Sequence, residues 1–288
     1  MPEKTSLVML FIFLSALAAD LHAVGADAPS QLTGESPLTV QFSRKGGFYD
    51  DPLLVELATV PGAEIIFTTD GSRPTASNGL RYRRPIAVTE NMVIRAISRK
   101  GKKKSKPSAQ AYFVGEPRST IPVVSVAVAA GVLFDPVSGL FMRGSAAQDS
   151  SLLARDANFW SRAEVPVHLQ MFESDGRSVF NSEVGFSLFG GMSRLLPQKS
   201  FAIVTRDRYG DKSVRHRIFG KNAPAKFKHL VFRNSGSDFG RTHFRDALMT
   251  SLLDGWNIEK QAYRPCHVYI NGRYWGIYNI REKLNRYY

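Results

Sequence analysis

Apolar residues along most of this chain come in short runs that stop at turn residues, and this punctuation restricts the fold more than any other feature. Residues 53–57 run to Pro61-Gly62, residues 64–69 run to Asp70-Gly71-Ser72, and two further runs cover residues 93–98 and 111–114. Runs of this length suit strands rather than helices. Glycine accepts positive φ and aspartate bonds its own backbone, so Asp-Gly is a strong turn signal. From Pro37 onward the spacing predicts a small antiparallel β-sandwich.

A linker at 116–120 follows, and the same grammar resumes. Residues 121–128 read as a buried strand. Residues 166–172 read as another, with a turn at Ser174-Asp175-Gly176, and residues 184–189 enter Gly190-Gly191. Residues 143–158 read as an irregular insertion. One stretch departs from the pattern. Phe244, Leu248 and Leu252 recur at i, i+4 and i+8, with Met249 and Leu253 beside them, which predicts a helix with one apolar face. Ser237 or Asp238 is placed to cap its start and Gly255 to stop it. Asp238 reads as a cap rather than a catalytic acid. Asn271-Gly272 then predicts a tight hairpin, with Tyr274, Trp275, Ile277 and Tyr278 packing a sheet face.

A length of 288 residues accommodates about two domains. With 22% charged and 43% hydrophobic residues the chain is globular. Residues 1–26 read as a secretory signal: Lys4 precedes an apolar stretch at 7–19, and small residues before Asp27 suit cleavage. That stretch falls short of the roughly 20 residues that span a bilayer, so the expected mature product is exported or held at the cell surface without a transmembrane anchor. Residues 27–36 form a linker. Cys266 is alone, which rules out an intrachain disulfide and a cysteine-based zinc site.

The net charge of +13 is uneven, with ten Lys or Arg between residues 81 and 106 against the single acid Glu90. Such a surface favours a polyanion. The alternative is a solvated turn around residues 100–106. No recognition motif points to specific nucleic acid binding.

The segments Arg233-Asn234-Ser235-Gly236-Ser237-Asp238, Tyr263-Arg264-Pro265 and residues 268–279, together with Pro197-Gln198-Lys199-Ser200-Phe201 upstream, resemble the bacterial spore-coat CotH family of atypical kinases. The resemblance covers residues 121–288 and rests on the order of these separated motifs. It implies phosphoryl transfer from ATP, with Mg²⁺, to Ser residues of coat or cell-surface proteins. In kinase-like folds a strand-borne Lys faces the nucleotide phosphates. A Gly-Gly turn leaves backbone N–H groups free to approach them. Gly190, Gly191 and Lys199 are therefore the candidate nucleotide clamp, although taken alone they read as an ordinary hairpin. The predicted helix matches the position of the kinase αC helix. In that reading Asp246 pairs with Lys199; the alternative is a surface salt bridge with Arg245 or Arg241. No catalytic residue and no metal ligand is assigned, because in such folds the base aspartate and the metal-binding acids lie in a large lobe. The chain stops about where a small lobe would pass to that lobe, so a longer natural product or a catalytically incomplete fragment is expected.

Residues 67–75, with Gly47-Phe48-Tyr49 before and Ile94-Arg95-Ala96 after, resemble the immunoglobulin-like module at the C-terminus of chitobiases and hexosaminidases. Spacing or docking is its expected role. Phe48, Tyr49 and Tyr82 offer either stacking faces for carbohydrate or core residues. The expected architecture is thus mainly β: an Ig-like sandwich over 37–116, then the N-terminal, small-lobe part of a kinase-like α+β domain over 121–288. The competing function is a non-catalytic, exported docking protein that binds an anionic envelope polymer or carbohydrate. A serine hydrolase is disfavoured, since Ser235-Gly236-Ser237-Asp238 lacks the nucleophile-elbow spacing.

Overall fold

A computed structural model describes residues 38–147 and 153–283. The expected signal and linker lie outside these residues, as does part of the insertion at 143–158.

The first part contains β1 (Gln41–Phe42), β2 (Gly47–Tyr49), β3 (Leu53–Val55), β4 (Leu57–Ala58), β5 (Glu64–Thr68), β6 (Leu80–Arg81), β7 (Ile86–Val88), β8 (Met92–Lys100), β9 (Lys103–Lys104) and β10 (Ser108–Val114). The main sheet runs β2-β10-β8-β5-β6, with β9 extending the far end of β8, while β1-β4 and β3-β7 form separate pairs. Residues 53–57, expected as one strand, are two. Glu56 separates β3, which pairs with β7, from β4, which pairs with β1. Val40, Val55, Leu57, Ile65, Val88, Ile94, Ala96 and Tyr112 form the core between them, giving a small sandwich. Asp70 Oδ1 accepts the Ser72 N–H at 2.9 Å, and Gly71 takes φ +82, which closes the turn expected there.

The second part is a closed barrel. Its strands are β11 (Val123–Ala127), β12 (Val165–Phe172), β13 (Ser178–Leu188), β14 (Phe201–Val204), β15 (His229–Arg233), β16 (Tyr263–Ile270) and β17 (Arg273–Glu282). They pair in the order β11-β12-β13-β14-β15-β17-β16, and β11 closes the ring by running parallel to β16. Closure leaves no strand edge unpaired. Inward residues alternate along each strand: Val124 and Val126, Val167, Leu169 and Met171, Val184, Phe186 and Leu188. Phe186, Phe201 and Phe232 stack across three neighbouring strands at 4.8 and 4.6 Å. Asn271 and Gly272 both adopt positive φ, as the hairpin requires. Cys266 points into this core, where burial pushes its thiol pKa well up.

Helix is sparse here: α1 (Ala130–Phe134) and α2 (Arg245–Ser251). The helix expected from residue 237 to 255 shrinks to α2, and the backbone explains why. Ser235, Gly240 and His243 hold φ of +53, +73 and +58, and left-handed residues cannot continue a right-handed helix. Asp238 nevertheless serves its capping role at a distance, since its Oδ2 accepts the Arg245 N–H at 3.0 Å.

Sandwich and barrel belong to one compact unit. Strand β8 is buried on both faces. Ile94 and Ala96 enter the sandwich core, whereas Val93, with Ala109, Ala111 and Phe113, meets Val123, Ala127, Phe172 and Tyr269 of the barrel. Phe48 joins this seam, stacked on Phe113 at 4.8 Å, and Tyr49 and Tyr82 pack against the sandwich core. These aromatics serve as packing residues. Arg95, 2% exposed, reaches from β8 to Glu183 of β13 at 2.6 Å and to the carbonyl of Gly71 at 2.8 Å. A Cβ on Gly71 would collide with the Asn271 side chain, so two turns interlock at the seam.

Candidate functional site

The turn between β13 and β14 carries three of the four predicted site residues. Gly190 takes φ +93, and a side chain on Gly191 would meet nothing within 4 Å. Among the described residues, the backbone N–H groups of both glycines find no protein acceptor. A short 3-10 turn, Met192–Leu195, follows. Arg194 folds back over it, donating to the carbonyls of Gly190 (2.7 Å), Leu188 (3.0 Å), Phe159 (3.2 Å) and Ser161 (3.0 Å).

Lys199 lies two residues ahead of β14 and is only 4% exposed. Its Nζ donates to the carbonyls of Arg194 (2.6 Å) and Leu196 (3.1 Å), and it sits 4.6 Å from the centre of the Phe159 ring. Burial lowers its pKa from the ordinary lysine value to about 8. Among the described residues no carboxylate pairs with it. Tyr278 fixes the backbone there by donating its hydroxyl to the Lys199 carbonyl at 2.9 Å.

The Asn234-Ser235-Gly236 turn supports this loop from below. Asn234 donates through Nδ2 to the Gln198 carbonyl (2.6 Å) and accepts the Ser200 hydroxyl (2.8 Å). A Cβ on Gly236 would strike the Ser193 side chain, so only glycine permits that approach. Ser235 is committed structurally, since its hydroxyl donates to the His243 carbonyl at 2.6 Å and accepts from Asn279.

Asp246, the fourth predicted residue, stands on α2 and faces elsewhere. Its Oδ2 accepts from Arg233 at 2.9 Å and from Arg281 at 2.6 Å. Lys199 and Asp246 thus form no ion pair, and neither Arg245 nor Arg241 is the partner. The reason is positional. Arg233 ends β15 and Arg281 lies on the adjoining β17, opposite Val231, so both guanidiniums converge on the first turn of the helix. Asp238 is 1% exposed. Burial alone would raise its pKa, yet the hydrogen bonds from Thr242 and the Arg245 N–H outweigh that and hold it below the usual carboxylate range.

Sequence reasoning missed Arg194, Phe159 and Arg281. Arg194 and Arg281 are long cations whose role is set by distant carbonyls and an aspartate. Only strand order brings Arg281 to α2. Chemically, the loop carries two N–H donors without an acceptor among the described residues and, in the same segment, a buried cation, groups of the kind that bind an oxyanion. It offers no comparable place for a divalent cation. Among the described residues, no three His, Cys, Asp or Glu side chains cluster closely enough to hold one.

Comparison with known families agrees with the two resemblances. Residues 186–288 match the family model described as CotH kinase protein, which spans Gly190, Gly191, Lys199 and Asp246. Residues 44–110 match the model for the chitobiase/beta-hexosaminidase C-terminal domain. No curated protein matches the chain.

Proposed function

We propose that the barrel is the nucleotide-facing part of an exported CotH-type protein kinase that acts on Ser residues of coat or cell-surface proteins. The carrying observation is the turn after β13. The N–H groups of Gly190 and Gly191, without an acceptor among the described residues, lie in the same loop as Lys199, a buried cation with no counter-charge among them, within the segment matched to the CotH kinase family. ATP would supply the phosphoryl group. Gly190 and Gly191 would receive phosphate oxygens through their backbone, and Lys199 would offset their charge. Lys199 Nζ is now held by two carbonyls and the Phe159 ring face, so phosphate would have to displace one of these contacts. We assign no base or metal ligand to the described residues, among which no three His, Cys, Asp or Glu side chains cluster.

Export rests on the sequence of residues 1–26. Among the described residues no helix is long and apolar enough to cross a membrane.

Thermal unfolding with and without ATP tests the proposal. ATP is expected to raise the Tm of the wild type and to leave Lys199→Met unmoved. If ATP shifts neither protein, or shifts both equally, the clamp is wrong. The non-catalytic docking reading then leads, and the charge distribution of the sandwich favours it.

A further inference from the structure

Several basic residues elsewhere in the described chain meet acids. Arg206 and Arg208 share Glu164, Lys212 meets Asp207, Arg264 meets Glu173, and Arg233 and Arg281 share Asp246. The β8–β9 hairpin instead crowds six cations into eight residues with no acid among them. Arg99, Lys100, Lys102, Lys103, Lys104 and Lys106 are all exposed, and none has a carboxylate partner among the described residues. The nearest acid across the sheet, Glu64, stands opposite Arg99 but is taken by Arg81 at 2.8 Å.

The register sets these cations against one another. Arg99 lies directly opposite Lys104, and Lys100 directly opposite Lys103. Opposed residues of an antiparallel pair share a face, and like charges there destabilise the pair. Successive residues alternate faces, so one like-charged pair lies on each side of the ribbon. Lysines blunt exposed sheet edges in many proteins, but that needs neither both faces nor opposed pairs. Two of the side chains are anchored. Lys100 Nζ donates to the Pro61 carbonyl at 3.1 Å, and Arg99 Nε to the Gly101 carbonyl at 3.2 Å.

We infer that this hairpin is a docking surface for a flexible linear polymer carrying phosphate groups along its backbone. Charge on both faces suits a chain that can wrap the ribbon, whereas a flat bilayer engages one side. Residues 99–106 contain no apolar side chain to insert into lipid and no aromatic face on which bases could stack. Five of the six cations are lysines, point charges without the forked geometry that reads a shaped partner. Recognition is therefore by linear charge density. It is independent of the nucleotide reading, because the hairpin lies in the sandwich.

The test uses the whole chain and fluorescently labelled inorganic polyphosphate, with Kd followed by anisotropy across a salt series. One variant carries Lys100→Ser, Lys102→Ser, Lys103→Ser and Lys104→Ser. A control removes equal charge elsewhere through Arg215→Ser, Lys221→Ser, Lys226→Ser and Arg273→Ser. The hairpin variant is expected to bind at least about tenfold more weakly. Its slope of log K against log salt should drop by about 3, from about 0.7 per phosphate contact on a single strand. The control keeps most of both, and each variant's Tm reports that it is folded. Equal losses in the two variants would reduce the effect to net charge and overturn the docking surface. Tighter hairpin-dependent binding to anionic vesicles than to polyphosphate would overturn the choice of partner.

Discussion

Two regions set apolar faces beside charged groups, and they end differently. At the seam between sandwich and barrel, both faces of β8 are covered, and the Arg95–Glu183 pair is sealed at 2% and 7% side-chain exposure. Around α2 the apolar face stays open: Leu248, Met249 and Leu252 are 45%, 60% and 63% exposed, and Trp256 beyond them is 68% exposed. Asp246 there is one-third exposed between its two arginines. A periodic apolar face thus tells which residues point the same way, but whether it is buried depends on what else the fold brings to it. Charge follows the same logic. A pair sealed by apolar neighbours cannot lose one member cheaply, while a pair open to water can.

The seam is where the largest effect is expected. Glu183→Ala leaves Arg95 buried and uncompensated, which costs about 3–5 kcal/mol by urea unfolding. Replacing both partners by leucine recovers most of that, since an apolar pair needs no desolvated charge. A loss below about 1 kcal/mol for the single change would mean the seam admits water, and the contrast with α2 would collapse.

Acid probes the same seam by another route. His168 lies on β12 opposite Glu183, with Arg95 and Asn181 beside it. Burial, reinforced by the charge of Arg95, lowers its pKa to about 3. The unfolded chain takes up a proton near pH 6.5 while the folded one refuses it, so stability is full above 6.5 and declines as pH falls toward 3. The slope attributable to one proton is about 1.4 kcal/mol per pH unit. Comparing wild type with His168→Asn between pH 7 and 4 isolates it. Parallel curves would show that His168 is reached by water.

How far the chain could be read follows from the range of the forces involved. Turns were legible because they are local. Asp70-Gly71 and Asn271-Gly272 close where their backbone preferences place them. Alternation likewise foretold strands in both halves. The closed barrel was not legible, because ring closure depends on β11 meeting β16 across more than a hundred residues. The helix was over-read since Phe244, Leu248 and Leu252 carry a true helical period, whereas the positive φ of Ser235 and His243 has no sequence signal as strong as glycine. Gly190, Gly191 and Lys199 share one loop because they lie within ten positions of one another. Asp246 was linked to Lys199 by analogy, and the ladder between β15 and β17 gave it two arginines instead.

Lys199 occupies an intermediate position between the two regions: buried like Arg95, but satisfied by carbonyls rather than by an acid. Lys199→Met removes those hydrogen bonds together with the desolvated charge, and the net loss is expected at about 1–3 kcal/mol. The pH dependence has a definite sign. The pKa falls from 10.5 to about 8 on folding, so the charged form is disfavoured in the folded state. That penalty is fully present below pH 8 and is relieved as pH rises toward 10.5, where the unfolded chain still holds the proton. Wild type should therefore gain stability relative to Lys199→Met between pH 8 and 10. A flat difference would place the ammonium in contact with water.

The smallest effect belongs to the open face, and it is the sharpest check on the comparison. Met249→Ser and Leu252→Ser remove apolar groups that are already more than half exposed, so little buried area is lost. Each should change stability by less than about 0.5 kcal/mol, as surface substitutions generally do. Phe113→Ala at the seam, a change in a ring that touches Phe48, Phe172 and Tyr269, should cost about 3–5 kcal/mol. A cost above about 2 kcal/mol for either serine variant would mean that the α2 face is covered in solution, and the two regions would then differ only in what covers them.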